Sequence, residues 1–349
     1  MKCTLKNLLD PHPDQIGETV TDFLRYLGGP SIIFLTGNDI SRTRAFVTLL
    51  HGNEPSGVKA LFRWLKSGRR PQVNIVCIIA SVEAAMFGPA FSHRVIDPMR
   101  DLNRCFNGPF DDEQGELARD IVSTLQRYQP ESVIDMHNTS GSGPSFAVAT
   151  FSDQKHEALT TLFTQRLIIT HLKLGALMEI SEHLCPTVTI ECGGRLDNEA
   201  DEIGWDGLSN YFSSENVFAV RSADWGLELL HNPVRLELNE NCSLCYSDQA
   251  SSGYNLTLPP TVEHLNFGVT RKNTLLGWVN NGVVPELSNI FSCRNSVDES
   301  VLNELIYIVG NEILVRQDLK LFMITCDPLI AKMDCLLYAV KSDGSELSL

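Results

Sequence analysis

Short apolar runs that alternate with amphipathic segments are the feature of this sequence that most limits its fold. Between about residues 31 and 225, the runs predicted to be buried strands are SIIFLTG, AFVTLLHG, VNIVCIIAS, ESVIDMHN, SFAVATF, LKLGALMEI and TVTIECGG. Segments 55–66, 113–128 and 154–170 instead place apolar residues at helical spacing. Apolar strands separated by helices predict an α/β fold with a mostly parallel or mixed central sheet and helices on both faces.

The pattern changes after about residue 225, where alternating and turn-rich segments such as VRLELNENCSLCYSD and LIYIVGNEILVRQDLKLFMIT begin. Such alternation predicts a β-rich domain. At 349 residues the chain also exceeds the usual size of a single hydrophobic core. We therefore expect two domains, residues 1–225 and a smaller β-rich domain of residues 226–349.

The excess of acidic residues excludes some classes of partner. The chain has 28 Lys and Arg against 43 Asp and Glu, a formal net charge of −15. Nucleic acids and anionic membranes attract clustered cations, so neither is expected as a partner. The N-terminus has no apolar signal-peptide core and no run is long enough to span a bilayer, so we expect a cytoplasmic protein. The sequence does not decide between a monomer and a homo-oligomer.

The ten cysteines are scattered, and several lie inside apolar runs, where a reducing compartment favours small buried thiols. Cys242 and Cys245 have the spacing of metal ligands, but no second pair completes a tetrahedral site. We therefore expect no metal there.

Polar side chains stand at the ends of several predicted strands. His51 and Glu54 lie in HGNE, where a strand gives way to a helix; His137 ends SVIDMH, and Glu191 follows TVTI. Ligands of open α/β sheets bind at the carboxyl ends of strands, so we expect these side chains to converge. Two imidazoles and a carboxylate can hold a catalytic zinc ion, and a further carboxylate can take a proton from its water. A His and a Glu three residues apart also arise by chance, so this pair alone establishes nothing.

Asp101, Asn103 and Arg104 lie together in DLNRCFNG, between the two histidines. Adjacent Asn and Arg side chains can hold a carboxylate through several donors, and arginine does so bidentately. Asp101 and Asn103 are equally typical of a helix cap or a solvated loop.

These motifs together resemble the succinylglutamate desuccinylase/aspartoacylase family, relatives of the zinc carboxypeptidases. They occur in the family's order, as HGNE at 51–54, DLNR at 101–104, DMHNT at 135–139 and IECGG at 190–194. The resemblance implies an α/β catalytic domain followed by a smaller β-rich domain. It also implies that His51, Glu54 and His137 bind one Zn²⁺ ion, while Glu191 deprotonates the metal-bound water and passes the proton to the leaving amine.

The resemblance assigns further roles around this centre. Asn103 and Arg104 match the pair that grips a substrate carboxylate. Asp101 matches a partner of His51 that fixes the tautomer of the imidazole.

An arginine before DLNR polarises the scissile carbonyl in the family and stabilises its oxyanion. Arg94 and Arg100 are both candidates, and neither has the usual separation from the motif. Arg94 is preferred, because Arg100 adjoins Asp101 and is expected to pair with it.

Two features bear on the substrate. Relatives that bind a dicarboxylic acyl amino acid carry an arginine some ten residues before the catalytic glutamate, and LMEISEHLCPTVTIE has none. The segment DCLLYAV resembles the one that supplies a substrate-contacting tyrosine, which nominates Tyr338, although a buried strand tyrosine explains it equally well.

The function expected from this resemblance is zinc-dependent hydrolysis of the amide bond of a small N-acyl amino acid that bears a carboxylate. A carboxypeptidase-like enzyme that cleaves a peptide or a cell-wall amide is one alternative. The other is a non-catalytic, metal-binding regulatory protein.

Overall fold

A computed structural model of the chain describes residues 5–219, 225–280, 286–293 and 300–343. These residues fall into two compact units. The first unit lies within Met1–Asn138, Ser145–Leu167 and Lys173–Leu227, and the second lies within Thr139–Pro144, Ile168–Leu172 and Glu228–Leu349. No helix among the described residues is both long and apolar enough to cross a membrane.

The elements up to residue 213 include strands and helices that alternate along the chain. The strands are β1 (Lys6–Leu9), β2 (Ser31–Leu35), β3 (Asp39–Thr48), β4 (Val73–Ile79), β5 (Val133–Thr139), β6 (Phe146–Ala149), β7 (Arg166–Ile169) and β8 (Thr187–Gly194). The helices are α1 (Pro13–Ile16), α2 (Val20–Leu27), α3 (Ser56–Ser67), α4 (Val82–Met86), α5 (Glu113–Tyr128), α6 (Gln154–Thr160) and α7 (Asn198–Ser213), with 3₁₀ turns at Leu102–Arg104 and Leu177–Glu182.

The central sheet is mixed, and the first eight strands of the chain follow the order β1-β2-β4-β3-β5-β8-β6-β7 in it. Strand β3 pairs in parallel with both β4 and β5, whereas β2 with β4 and β6 with β8 are antiparallel. The expected α/β class with a mixed central sheet is therefore confirmed.

The predicted apolar face of α5 forms part of the core of this sheet. Leu117, Ile121 and Leu125 are buried with Val47 of β3 and Val76 of β4. Asp112 is the N-cap of this helix, and its side chain accepts a hydrogen bond from the backbone N–H of Gly115. Burial of one helix face, rather than helix propensity, therefore holds α5 in place.

Two predicted elements differ from the structure. LKLGALMEI does not form a strand: the chain turns at Gly175, with φ +74°, and continues as the Leu177–Glu182 3₁₀ turn. The buried Glu179 carboxylate stabilises this turn by accepting from the backbone N–H groups of Leu174 and Ala176. The helix expected over 154–170 ends at Thr160, and the apolar RLII run that follows forms β7.

The second unit is rich in strands. They are β9 (Glu228–His231), β10 (Val234–Leu238), β11 (Leu244–Tyr246), β12 (Leu256–Leu258), β13 (Val269–Thr270), β14 (Leu275–Val279), β15 (Phe291–Cys293), β16 (Ile306–Val309), β17 (Glu312–Val315), β18 (Leu319–Phe322) and β19 (Leu337–Lys341). Helices α8 (Ser300–Leu305) and α9 (Pro328–Met333) and 3₁₀ turns at Pro260–Leu265 and Leu287–Asn289 complete it. Two five-stranded sheets, β13-β18-β19-β10-β15 and β11-β12-β14-β17-β16, share one apolar core.

Candidate metal centre

Strands β3 and β5 are parallel and end at the same edge of the central sheet. Thr48, the last residue of β3, pairs with Met136 of β5. His137 follows Met136 directly, and His51 comes three residues after Thr48. Between Thr48 and His51, Leu49 adopts φ +59° and turns the chain away from β3. This register places both imidazoles at the same carboxyl edge.

The structure brings His51, Glu54 and His137 together in a buried cluster, in which one ligand atom from each lies within 4.8 Å of the others. The Glu54 carboxylate lies between the two rings. Its Oε1 is 2.8 Å from His51 Nδ1, and its Oε2 is 2.7 Å from His137 Nδ1. Among the described residues, this cluster is the one group of His, Cys, Asp or Glu side chains that is compact enough to hold a metal ion. Cys242 and Cys245 do not belong to such a group.

The far nitrogen of each imidazole meets a second carboxylate. His51 Nε2 lies 2.9 Å from Asp101 Oδ1, and His137 Nε2 lies 2.9 Å from Asp135 Oδ2. A neutral imidazole that donates its Nε2–H to a carboxylate presents the lone pair of Nδ1 on its other side. In this tautomer both Nδ1 lone pairs face Glu54, so either a proton or a cation must lie between each ring and that carboxylate.

This donor set fits a zinc ion. Two imidazole nitrogens and one carboxylate are a common ligand set for catalytic zinc, and the ligating histidines of such sites usually donate their other N–H to a carboxylate. The lone-pair arrangement explains why a cation would be stable here.

The carboxylates around the two imidazoles affect the pKa of each ring. Burial lowers the pKa of His51 and of His137, but the neighbouring carboxylates outweigh it, so both pKa values are raised above the ordinary value. Burial likewise raises the pKa of Glu54, yet the two imidazoles outweigh it and its pKa is lowered well below the usual range. A metal ion at this cluster would therefore compete with protons for the ring nitrogens.

Glu191 lies within β8, the neighbour of β5 in the sheet, and is 9% exposed. Its Oε2 has no hydrogen-bond partner among the described residues. Burial, opposed by His137 and assisted by Glu54, raises the pKa of this carboxyl to about 7. A carboxylate with such a pKa is suited to accept and return a proton near neutral pH.

Arg94 and Arg100 differ in their partners. Arg94 donates from Nη1 to Glu54 Oε1 at 3.2 Å, and from Nη2 and Nε to Asp101 Oδ2 at 2.9 and 3.2 Å. Arg100 instead binds Asp112 through Nε and Nη2 at 2.5 and 2.7 Å. The expected pairing of Arg100 with Asp101 is therefore wrong, because Arg94 occupies that carboxylate.

The Asp101 carboxylate has a third partner besides His51 and Arg94. Its Oδ1 also accepts from the backbone N–H of Asn103 at 2.9 Å and so caps the Leu102–Arg104 turn. The amide oxygen of Asn103 accepts from the Leu177 N–H at 2.9 Å, so the NH₂ group is the part of this amide that can donate to a ligand. Arg104 is half-buried, and its Nη1 donates to the Asn103 carbonyl at 2.9 Å. The cap and carboxylate-binding interpretations of this segment are thus compatible.

Tyr338 lies on β19 of the second unit. Its ring stacks on Phe322 with centroids 5.6 Å apart, and its hydroxyl accepts a hydrogen bond from Arg235 Nη1 at 3.3 Å. Its contact with a substrate stays a prediction.

Sequence reasoning missed Asp135, which is fully buried beside His137. The signal was present, because residues i and i+2 of a strand share a face and the sequence reads Asp-Met-His. It also missed Asn138, whose amide contacts two other segments of the site. Asn138 lies within the DMHNT motif, but the motif alone does not show which segments its amide contacts.

Part of this chain matches a known protein family. Residues 45–204 match the family model of the succinylglutamate desuccinylase/aspartoacylase catalytic domain. A search of curated proteins finds no match.

Solved structures share the fold at low sequence identity. A succinylglutamate desuccinylase/aspartoacylase from Rhodobacter sphaeroides is 17% identical, with a TM-score of 0.55, over 85% of this chain and 83% of that one. The succinylglutamate desuccinylase of Vibrio parahaemolyticus is 14% identical, with a TM-score of 0.53, over 83% and 86% of the two chains. A putative member from Shewanella frigidimarina is 13% identical, with a TM-score of 0.52, over 89% and 92%.

Proposed function

We propose that this chain hydrolyses the amide bond of a small N-acyl amino acid with one Zn²⁺ ion. Residues 45–204 match the catalytic-domain model of the succinylglutamate desuccinylase/aspartoacylase family, whose members are hydrolytic deacylases. The observation that carries the proposal is the buried His51, Glu54 and His137 cluster near Glu191, whose buried Oε2 has no hydrogen-bond partner among the described residues. A cluster that served only as a structural ion-pair network would not need a buried carboxylate oxygen without a partner near it.

In the proposed reaction His51, Glu54 and His137 hold the zinc ion, which when bound supplies a Lewis acid and lowers the pKa of water. Glu191 accepts a proton from the attacking water and returns it to the nitrogen of the leaving amine. Arg94, held in place by Glu54 and Asp101, donates to the carbonyl oxygen as negative charge develops there.

Asn103 and Arg104 bind a carboxylate of the substrate in this proposal. The NH₂ group of Asn103 and the guanidinium of Arg104 come from adjacent residues, and the 3₁₀ turn that carries them is fixed by Asp101. Because the chain as a whole carries a charge of −15, an anionic substrate needs this local pair of donors.

The test combines metal analysis with an activity screen. We expect purified wild-type protein to hold one zinc ion per chain and to release free amine from at least one member of an N-acyl amino acid library. His51→Ala should lose the metal, whereas Glu191→Gln should keep it and lose activity by about 10²- to 10⁴-fold, the usual contribution of a general base.

Full zinc occupancy in His51→Ala would refute the ligand assignment. Cleavage of a peptide panel without cleavage of any acyl amino acid would replace the proposal with the carboxypeptidase alternative. A zinc-loaded wild-type protein inert towards both libraries would favour the non-catalytic alternative.

A further inference from the structure

Asn138 is a buried amide, 2% exposed, that directly follows His137. Its Oδ1 accepts from the backbone N–H of Ser56 at 2.9 Å. Its Nδ2 donates to Ser56 Oγ at 2.9 Å and to the Gly193 carbonyl at 3.1 Å. One side chain therefore connects β5, the start of α3 and the end of β8.

Each of these segments carries a residue of the proposed active site. Ser56 lies two residues after Glu54, and Gly193 lies two residues after Glu191. The backbone N–H of Asn138 also points to Glu54 Oε2, at 3.4 Å. The amide thus ties the segment of the proposed general base to the segments of two proposed metal ligands.

The orientation of the amide is determined by its neighbours. Ser56 Oγ donates its hydrogen to Asp201 Oδ1 at 2.7 Å, so towards Asn138 it can only accept. Asp201 is in turn held by Lys59 at 2.6 Å. The NH₂ group of Asn138 must therefore face Ser56 Oγ and Gly193, and its oxygen must face the Ser56 N–H.

Close backbone packing makes this arrangement rigid. Gly57 packs against β3 so tightly that a Cβ there would lie 2.1 Å from Thr48 Oγ1. Gly193 adopts φ +117°, a conformation that side-chain-bearing residues rarely adopt. Both segments that Asn138 joins are thus fixed at the point of contact, which lets one amide control their separation.

We propose that Asn138 is a positioning residue that sets the placement of Glu191 relative to the His51, Glu54 and His137 centre. This inference rests on the proposed function, because it needs a metal at that centre and a base at Glu191. Asn138 acts through the two segments it joins and has no direct part in the chemistry. Losing it misplaces the base, and displacements of about 1 Å can cost about 10²-fold in rate.

A matched control exists in Asn74, another buried asparagine whose amide joins two backbone positions. Its Nδ2 donates to the Ile40 carbonyl and its Oδ1 accepts from the Gly37 N–H, both at 3.0 Å. It lies near the start of β4, away from the site residues. Asn74→Ala therefore removes a comparable buried amide without touching the segments of the site.

The experiment compares wild type, Asn138→Ala, Ser56→Ala and Asn74→Ala, each stripped of metal and loaded with Co²⁺, whose visible spectrum reports its coordination geometry. Steady-state release of amine is then measured on the best acyl amino acid from the screen. We expect Asn138→Ala to shift the Co²⁺ spectrum and to lower kcat by about 10- to 100-fold, with KM changed less than about threefold. Ser56→Ala, which removes only one of the three bonds, should change both readouts in the same direction and by less. Asn74→Ala should keep the wild-type spectrum and kcat.

An Asn138→Ala protein with the spectrum and kcat of Asn74→Ala would overturn the positioning role while leaving the proposed function intact. If Asn138→Ala fails to fold, Ser56→Ala decides the matter, and wild-type values in that variant overturn the role. A wild-type protein that neither binds Co²⁺ nor releases amine would refute the proposed function itself, and the positioning role with it.

Discussion

Burial of Glu191 should make the stability of the metal-free protein depend on pH. The carboxyl is 9% exposed, its Oε2 lacks a partner among the described residues, and burial is the main cause that raises its pKa to about 7. We predict that Glu191→Gln changes the pH dependence of the free energy of unfolding and not merely its value at one pH.

The sign and size follow from the two pKa values. The unfolded carboxyl releases its proton near 4.5, and the folded one releases it near 7, so between these values the native state binds more protons than the unfolded state. Stability from Glu191 is therefore fully present below pH 4.5 and is lost as pH rises through 7. At about 1.4 kcal/mol per pH unit, the rise from 4.5 to about 7 gives a loss of roughly 3 kcal/mol.

The assay is urea unfolding of chelator-treated wild type and Glu191→Gln between about pH 5 and about pH 9. The free energy of unfolding of Glu191→Gln minus that of wild type should increase by roughly 3 kcal/mol across this range. The raised pKa values of His51 and His137 also make the protein less stable as pH rises. Both residues are present in both proteins, so this contribution largely cancels, and what remains of it comes from the interaction of His137 with Glu191. Any constant cost of burying the glutamine amide cancels from the slope. Parallel curves would refute the claim that burial raises the pKa of the native Glu191 carboxyl.

Three further outcomes follow from the same contacts. Arg94→Met should retain zinc by metal analysis and lose about 10²- to 10³-fold in kcat. The control is Arg100→Met, which should keep the wild-type rate because Arg100 pairs with Asp112. Asp135→Ala removes the partner of His137 Nε2 and should weaken zinc binding by about 10- to 100-fold in a chelator competition titration, and unchanged affinity would contradict that contact. Zinc at about 100 times its Kd should raise the free energy of unfolding of the metal-free protein by about 2.7 kcal/mol in urea titrations, and no increase would argue against a site preformed in the native state.

The convergence of His51, Glu54 and His137 could be predicted from the sequence because it depends on simple rules. Apolar runs mark β3 and β5, and parallel strands end at the same edge of a sheet, so polar residues that follow them must meet. Glu54 lies three residues after His51, and the turn between them brings its carboxylate to the His51 ring. These constraints act within short segments and need only the pairing of two strands.

Other parts of the fold depend on contacts that the sequence does not display. LKLGALMEI is as apolar as the true strands, but the buried Glu179 carboxylate satisfies the backbone N–H groups of a turn there and prevents strand pairing. Arg100 adjoins Asp101 in sequence, yet its side chain points to Asp112, twelve residues away, since the chain turns between them. Periodicity does not reveal a buried charge that selects a turn, and adjacency in the sequence does not show which way a side chain points.

The same distinction separates the residues of the proposed chemistry from those that position them. His51, Glu54, His137 and Glu191 are recognisable by residue type, because metal binding and proton transfer need particular side chains. Asn138 is connected to residues 82 and 55 positions away along the chain, and any buried amide with the right neighbours could occupy its place. Its proposed role depends on which backbone segments it joins, so this role can be inferred only from the arrangement of the three segments in the structure. A variant that alters such an amide should therefore change the rate more than the metal content, which is the opposite of what a lost ligand does.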